Sequence, residues 1–502
     1  MSRSLVESVR AARKVGTPLL AITTPDVAAT VAKIVEDIGK KGSQPAKLRW
    51  DRIQGLRALN TEGEAALREI VDGPDIEGAT IVPVDMLVAC RKLPERALVF
   101  MLHAHRYLDD APTVKAIWNL RDEFKATGAT LVLLGPSFQL PAELSQDVVE
   151  LDDPYPTRER LGEIVTAMHV AWQQPEPDAD TVARAVRALL GLSEFPAEQA
   201  VAMSINGNGL NIDELWNRKR QMIEQTPGLS VWRGGETVQD VIGLNHVITS
   251  LTDLFHGPMP PECIVFVDEI EKMLAGATGA VGDSSGVSQA FLQYMLTHME
   301  NTSADGIILL GPAGSGKSLV GKAAGSIGGV PVISLDANAM KSSLVGESAR
   351  LMRQAFNVVN AIGEKRQLWI ATSNRIAALP PELLRRFKYG IFFVDLPSPE
   401  MRAALWEHYL KRYGLTDVAL PPSEGWTGAE IRNCCEVAYK RGKSLIEVAS
   451  QIVPVCKSAA KQIEALRREA DGVYADATVF GPYRMTSGLA ATTAGRRVQA
   501  LE

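Results

Sequence analysis

The sequence predicts an α/β protein made of two parallel-sheet domains in tandem, each followed by a small helical domain. Its 502 residues exceed the size of one average domain. Apolar runs alternate with amphipathic stretches over residues 1–172 and again over 229–397, which is the pattern of a mostly parallel sheet covered by helices. The segments that follow, 173–228 and 398–470, space their apolar residues as helices do.

The first sheet domain lacks the residues that bind and cleave a nucleotide. Its strands are predicted at 17–24, 96–104, 129–137 and 147–153. The first strand runs into Thr-Thr-Pro-Asp without a glycine, lysine and serine cradle, and the strand at 96–104 is not followed by an Asp-Glu pair. A nucleotide-binding fold is one candidate for this domain, and we expect it to hydrolyse nothing.

The second sheet domain begins near residue 229, after a proline-rich and then helical segment. A glycine pair and a change of composition mark that boundary. The last residues of the chain are small and polar, so we expect a C-terminal tail over 471–502. Five strands are predicted in this domain, at 261–270, 305–314, 329–337, 366–374 and 389–397.

Composition and charge exclude several classes of protein. Lysine and arginine number 53 against 59 acids, which gives a net charge of -6 and no global basic field for binding nucleic acid. Five cysteines without a CxxC pair favour a reducing compartment without a zinc site. Neither a signal peptide nor an apolar run long enough to span a membrane is found, so the sequence favours a soluble, cytoplasmic protein.

A complete phosphate-loop motif follows the predicted strand at 305–314. Its glycines let successive backbone N–H groups surround phosphate oxygens, its lysine brings a positive charge to the β- and γ-phosphates, and its last hydroxyl binds Mg²⁺. The motif predicts ATP and Mg²⁺ as cofactors. Its eight residues are Gly311, Pro312, Ala313, Gly314, Ser315, Gly316, Lys317 and Ser318.

Asp268 and Glu269 stand at the end of the apolar strand at 261–270. At such a position an aspartate can reach Mg²⁺, as Ser318 does, and the next residue can activate the attacking water. An Asp-Glu pair after a strand is also a common start of a helix. The phosphate loop favours the catalytic interpretation.

Three further polar residues follow the strand at 366–374. Asn374 ends this strand, where its amide can position the attacking water or simply form a turn. Arg385 and Arg386 follow a short helix that begins with two prolines. In a ring of subunits, one of them can stabilise the transition state in a neighbour's site as an arginine finger; the alternative is a solvated helix end.

Together, these motifs resemble the AAA+ ATPases. The similar segments are DVIGL (240–244), FVDEIEK, the phosphate loop, SLVGES (343–348), TSN, LPPELLRRF and GAEI (428–431). The strongest likeness is to the AAA ATPases known as a conserved chloroplast reading frame of algae and cyanobacteria, which join a degenerate N-terminal ATPase-like domain to an active C-terminal one. The resemblance implies two P-loop-NTPase-like (RecA/AAA+-like) domains, with nucleotide contacts from Ile242, Gly243, Leu319, Gly428 and Ala429.

The order of the segments departs from that family. There the Asp-Glu strand follows the phosphate loop, whereas here the strand-helix unit 263–301 precedes it. Strands need only be neighbours in space, so we expect strand 264–267 to lie beside strand 368–372 and to bring Asp268 to Ser318. The rival hypothesis is that the transposition destroys the site and leaves a nucleotide-binding scaffold.

The resemblance also implies how the site is used. In the translocases of this family, the position of Leu344, Val345 and Gly346 is a loop that grips the substrate; a plain surface loop is the alternative. Residues 275–286 predict a second mobile loop. Arg432 lies one turn too late to act as the sensor arginine that some lids supply.

Three functions remain open at this point. The first is an ATPase in a homo-oligomeric ring, of six subunits by family resemblance, that remodels a protein partner and acts on no membrane. The second is a replication or packaging motor acting on DNA, which the acidic balance does not favour. The third is a nucleotide-gated assembly scaffold with little turnover.

Overall fold

The computed structural model describes residues 4–38, 44–70, 76–207, 209–274, 287–336, 339, 347–363, 366–416 and 418–485. The chain forms two compact units, Met1–Lys219 and Arg220–Glu502. The boundary between them falls within one helix, Ile212–Glu224, which is labelled α10 below.

The first unit contains a six-stranded sheet. Its strands are β1 (Leu19–Thr23), β2 (Lys47–Asp51), β3 (Gly55–Ala58), β4 (Leu98–Met101), β5 (Thr130–Gly135) and β6 (Val149–Asp152). Their order across the sheet is β3-β2-β4-β5-β1-β6, and all pairs are parallel except β2 with β3. The four predicted strands are confirmed, while β2 and β3 were not predicted.

Helices cover this sheet and continue beyond it. They are α1 (Leu5–Lys14), α2 (Val27–Asp37), α3 (Thr61–Ile70), α4 (Ile76–Thr80), α5 (Pro83–Ala89), α6 (Ala111–Thr127), α7 (Arg158–Ala171), α8 (Ala179–Leu189), α9 (Glu194–Ser204) and α10 (Ile212–Glu224). A small hairpin of β7 (Ile205–Asn206) and β8 (Gly209–Leu210) separates the last two. The predicted helical segment after the first sheet is therefore present.

The second unit contains a seven-stranded sheet. Its strands are β9 (Leu229–Val231), β10 (Cys263–Val267), β11 (Asp305–Leu310), β12 (Val332–Leu335), β13 (Gln367–Ser373), β14 (Ile391–Phe393) and β15 (Ala475–Asp476). Their order is β15-β14-β11-β13-β10-β12-β9, and only β9 pairs antiparallel. All five predicted strands are confirmed.

The helices of the second unit flank the sheet, and those within residues 398–470 form the helical segment that is called the lid below. They are α11 (Asn245–His256), α12 (Ile270–Met273), α13 (Val287–Thr302), α14 (Lys317–Ala323), α15 (Gly325–Gly328), α16 (Glu347–Gly363), α17 (Pro381–Leu384), α18 (Pro399–Tyr413), α19 (Gly428–Arg441), α20 (Leu445–Ala449), α21 (Val455–Ser458) and α22 (Ala460–Ala470). The apolar core of the lid includes Leu405, Trp406, Ile431 and Cys434.

The two sheets share one spatial order although their chain orders differ. The series β6-β1-β5-β4-β2-β3 of the first unit corresponds to β14-β11-β13-β10-β12-β9 of the second. In the first unit, β4 follows β1 in the chain; in the second, the corresponding β10 precedes β11. The expected transposition therefore leaves the arrangement of strands in space unchanged, because β10 lies beside β13 with Ile264 opposite Leu368.

Residues 471–485 correct the expected C-terminal tail. Strand β15 pairs with the edge strand β14, with Ala475 opposite Phe392. Tyr483 is buried and its hydroxyl donates to Asp395 at 2.6 Å. This part of the chain belongs to the second sheet, because an exposed sheet edge can pair with even a two-residue strand.

Candidate active site

The phosphate loop connects β11 to α14 and needs its glycines. Gly314 and Gly316 have φ values of 78° and 100°, in the left-handed region that favours glycine. A Cβ on Gly311 would lie 2.1 Å from the carbonyl oxygen of Val394. The loop therefore has the close backbone approach and the open backbone N–H groups that phosphate binding requires.

Lys317 is buried inside this loop, with 6% of its surface exposed. Its ammonium donates to the carbonyl oxygens of Gly311 at 2.9 Å and Pro312 at 2.6 Å. Burial lowers the pKa of Lys317 to about 8, although the carboxylates of Glu271 and Asp268 act in the opposite direction. An anion in the loop would stabilise the charged ammonium, because it would offset this loss of solvation.

Ser318 and Asp268 meet as expected from the sequence. The Ser318 hydroxyl donates to Asp268 Oδ1 at 2.8 Å, although fifty positions separate the two residues. Strand β10 carries the aspartate and lies next but one to β11, which leads into the loop. The predicted strand pairing is thus confirmed, and a hydroxyl and a carboxylate stand together at the mouth of the phosphate loop.

Glu269 faces a different partner. Its backbone is left-handed, with φ 50° and ψ 54°. The Asn374 side-chain amide donates to Glu269 Oε1 at 3.2 Å, and Lys272 forms an ion pair with the other carboxylate oxygen. Two consecutive acids therefore contact two different parts of the site: Asp268 contacts the phosphate loop, and Glu269 contacts Asn374, which we expected to position the attacking water.

Two residues of this cluster were not predicted. The hydroxyl of Thr372 donates to Asp268 Oδ1 at 2.6 Å and accepts the Glu269 N–H at 2.8 Å. Glu271 Oε1 accepts the backbone N–H of Asn374 at 3.1 Å. Asn374 Oδ1 and Glu271 Oε2 are buried and find no hydrogen-bond donor in the part of the chain described. The signals in the sequence were the third acid of Asp-Glu-Ile-Glu and the threonine of TSN.

The lid touches the phosphate loop. The N–H of Ala429, at the start of α19, donates to the Gly314 carbonyl oxygen at 3.2 Å, and Gly428 begins the same helix. Gly243 packs against Met401 so closely that a Cβ there would lie 2.4 Å from the methionine methyl carbon. Ile242 is packed against the apolar core of the lid.

A cavity of about 180 Å³ opens beside the loop. It lies between Leu319 of α14, Asp240 of the DVIGL segment, and Tyr409 and Arg432 of the lid. Arg432, which lies one turn beyond the expected sensor position, thus faces the cavity. Apart from Leu319, the residues that line this cavity have charged or phenolic side chains.

The two candidate finger arginines differ in their contacts. Arg386 forms a 2.8 Å ion pair with Glu300 of α13. The Arg385 side chain is exposed and makes no hydrogen bond or ion pair with any described residue. The expected substrate-gripping loop at Leu344, Val345 and Gly346 and the expected mobile loop at 275–286 lie outside the described residues.

The donor atoms at the loop suit Mg²⁺. Magnesium prefers oxygen ligands and binds through one or two protein oxygens together with phosphates and water. Ser318 Oγ and the Asp268 carboxylate are such a pair. Across the described ranges, no group of three or more His, Cys, Asp or Glu side chains could hold a metal ion.

The first unit has different residues at the corresponding positions. Leu102 and His103 follow β4, where Asp268 and Glu269 follow β10. After β1, Thr30 donates to the partly buried Asp153 at 2.5 Å and also bonds to Thr24. Burial raises the pKa of Asp153. Side chains of this unit therefore bond to one another where the second unit has its phosphate loop.

Three family models match the chain. The N-terminal domain of SpoVK-like AAA ATPases matches residues 1–152, the second domain of the same ATPases matches 159–226, and the AAA ATPase family model matches 307–365. The chain belongs to the AAA ATPases. It is an ATP hydrolase. The last match begins in β11, after the transposed β10 and α13.

Relatives of this AAA ATPase extend the match over most of the chain. The uncharacterised AAA domain-containing protein ycf46 of Guillardia theta is 21% identical, over 92% of this chain and 94% of the relative. The ycf46 protein of Gracilaria tenuistipitata var. liui is 24% identical over 64% and 67%. The predicted likeness to the chloroplast AAA ATPases is confirmed.

Two more distant similarities cover only part of the AAA ATPase chain. The proteasome-activating nucleotidase of Saccharolobus islandicus (strain M.14.25 / Kamchatka #1) is 30% identical over 27% of this chain and 47% of the relative. The crystal structure of the FIGL-1 AAA domain shares 17% identity with a TM-score of 0.26, and it covers 40% of this chain and 94% of that one. No described helix is both long and apolar enough to cross a membrane.

Proposed function

We propose that this AAA ATPase is Mg²⁺-dependent, acts as a homo-oligomeric ring of six subunits, and uses ATP hydrolysis to remodel a protein partner. The observation that carries the catalytic part is the 2.8 Å hydrogen bond between Ser318 and Asp268. It joins the phosphate loop to the acid pair despite the transposed chain order. A scaffold that had lost hydrolysis would not require this contact.

Each residue of the site has a role in this proposal. The loop from Gly311 to Gly316 and the ammonium of Lys317 bind the phosphates. Ser318 and Asp268 hold Mg²⁺, which when bound neutralises charge on the phosphates. Glu269 accepts the proton of the attacking water, and Asn374 orients that water through the side-chain oxygen that is left without a donor.

Arg385 is the better candidate for the arginine finger. Its side chain is exposed and has no hydrogen-bond or ion-pair partner among the described residues, so it can extend to the phosphates of a neighbouring subunit. Arg386 is engaged with Glu300 within its own subunit. A finger that acts between subunits requires the oligomer for activity, which is the physical reason for proposing a ring.

Two observations support a protein partner over DNA. The net charge of -6 provides no general attraction for a polyanion. One partial relative is named a proteasome-activating nucleotidase, so by its name it acts with a protein assembly. Leu344 would contact an extended peptide through its apolar side chain, and its replacement by aspartate should abolish stimulation by the partner.

The test measures the dependence of activity on assembly, the rate of ATP hydrolysis and the retention of a protein partner. The ATPase rate per subunit of the full chain, measured with and without Mg²⁺, should rise with protein concentration and require the metal. Glu269→Gln should bind ATP without hydrolysing it and retain the protein partner. The matched control is Glu407→Gln, because Glu407 is exposed on α18 and has no partner within the described residues.

Three outcomes would contradict the proposal. Turnover that is negligible at every protein concentration would leave only the scaffold. A rate per subunit that does not depend on concentration, with a monomer in sedimentation, would exclude the ring. Stimulation by DNA with a steep dependence on salt, and none by unfolded protein, would favour the DNA motor.

A further inference from the structure

One buried hydroxyl contacts both members of the acid pair. Thr372, at the end of β13, is 1% exposed. Its Oγ1 donates to Asp268 Oδ1 at 2.6 Å and accepts the backbone N–H of Glu269 at 2.8 Å. A hydroxyl has one hydrogen to donate, so the acceptor must be the aspartate and the donor must be the glutamate amide.

The two hydrogen bonds of Thr372 lie at the point in the chain from which the side chains of Asp268 and Glu269 extend to different parts of the site. Glu269 has the left-handed backbone conformation, which is unfavourable for a residue with a Cβ. Thr372 and Ser318 both donate to Oδ1 of Asp268. The other oxygen, Oδ2, therefore has no partner within the described residues and remains available to a hydrated cation.

The first unit provides an internal comparison. Its strands β4 and β5 pair with Met101 opposite Leu133, just as Val267 lies opposite Ala371 in β10 and β13. One residue further on, Leu134 takes the place of Thr372.

The left-handed turn is present in both units. In the first unit it is formed by His103, with φ 54° and ψ 34°. Because Leu134 has no hydroxyl, that turn does not depend on one. The hydroxyl is therefore a feature of the unit with the acid pair and not a requirement of the fold.

We propose that Thr372 is a positioning residue for the acid pair. It holds Asp268 so that one carboxylate oxygen faces the cation site, and it fixes the peptide from which the Glu269 carboxylate extends towards Asn374. The proposal rests on the proposed function, because the groups that it positions are the metal ligand and the base assigned there. The two hydrogen bonds of Thr372 go to the acid pair, so the role is one of positioning.

The test compares three variants of the full chain. Thr372→Val removes the hydroxyl and keeps the shape, and Thr372→Ser restores the hydroxyl. Thr302→Val is the control, because Thr302 is also buried but donates only to the His298 carbonyl oxygen of its own helix. The measurements are kcat and KM for ATP, the melting temperature, and calorimetric ADP affinity with and without Mg²⁺.

Thr372→Val should lower kcat by about 10- to 100-fold, the usual effect of removing a group that orients a metal ligand. Its ADP affinity without Mg²⁺ should stay unchanged, while the gain in affinity on adding Mg²⁺ should fall by about tenfold. Thr372→Ser should recover kcat to within about threefold of wild type, since it restores both hydrogen bonds. The control should match wild type in kcat and in the Mg²⁺ effect.

Two results would overturn the proposal. The first is a Thr372→Val protein that keeps wild-type kcat and the full effect of Mg²⁺ on ADP affinity. The second is a Thr372→Ser protein that loses as much activity and melting temperature as the valine variant, because the residue would then be structural. If wild type itself does not hydrolyse ATP, the proposed function fails, while the ADP measurements still decide the role of Thr372.

Discussion

Tyr483→Phe should weaken the attachment of the C-terminal strand to the second sheet. The Tyr483 hydroxyl donates to Asp395 Oδ2 at 2.6 Å, and its ring lies 4.4 Å from that of Phe393. Phenylalanine keeps the ring contact and removes only the hydrogen bond. Asp395 also forms an ion pair with Arg467, whose Nε lies 2.9 and 3.0 Å from the two carboxylate oxygens, so the carboxylate would not be left without a partner.

The size of the effect follows from this geometry. A hydrogen bond to a charged group contributes about 1.5–3 kcal/mol, and the retained arginine places the loss near the lower end, at about 1.5 kcal/mol. For a unit of this size, each kcal/mol shifts the melting temperature by roughly 2–4 °C. We therefore expect the second unit to melt about 3–6 °C lower.

Differential scanning calorimetry of the full chain measures this shift. The transition of the second unit is the one that ADP raises, because a ligand stabilises the unit that binds it. Tyr474→Phe is the control, since the Tyr474 hydroxyl has no hydrogen-bond partner among the described residues. Equal shifts for the two variants, or no shift for Tyr483→Phe, would refute the assignment of residues 471–485 to the folded sheet.

Three further predictions concern the finger, the pH dependence and the packing behind the loop. Arg385→Ala should lower kcat of the assembled protein by about a thousandfold or more, while ATP still binds. Arg386→Ala should change kcat only a few-fold. If steady-state assays give the reverse ranking, the two arginines exchange roles. Burial lowers the pKa of His298 below its ordinary 6.5, so the unfolded chain binds more protons and the second unit should lose stability as the pH falls through 6.5. His298→Gln should flatten this dependence in denaturant titrations, and an unchanged slope would show that another group titrates. Gly321→Ala would place a Cβ 2.2 Å from the Phe266 ring. Urea titrations should therefore show that the free energy of unfolding falls by about 1–3 kcal/mol. An unchanged free energy of unfolding would mean that α14 can shift away from β10.

The apolar strands of both sheets could be predicted, and the charged or very short ones could not. Strand β2 contains Lys47 and Arg49, which interrupt the apolar pattern. Lys47 is nevertheless buried, because its ammonium donates to the carbonyl oxygens of Val35 and Ile38 at the end of α2. Strand β15 has only two residues, too few for any periodicity.

The site residues that could not be predicted from the sequence are single polar residues. Asp268, Ser318 and the glycines of the loop stand in motifs whose spacing indicates phosphate chemistry. Thr372 and Glu271 lie within the TSN and FVDEIEK segments, but a threonine in a strand and a glutamate on a short helix are common everywhere, so neither residue indicates a role by its type. Their partners lie about a hundred positions away in the chain, so local sequence carries no record of the contacts.

The amino-acid sequence by itself determined the class of fold, the phosphate loop and the acid pair, because glycine placement and apolar periodicity act over a few neighbouring residues. It also allowed the transposed strand to be placed, since short connections restrict which strands can be adjacent. Only the tertiary structure decided which side chains support that site, where Arg386 is engaged and how the C-terminal strand closes the sheet edge. Hydrogen bonds and ion pairs depend on distance in space, and folding alone brings residues a hundred positions apart to within 3 Å.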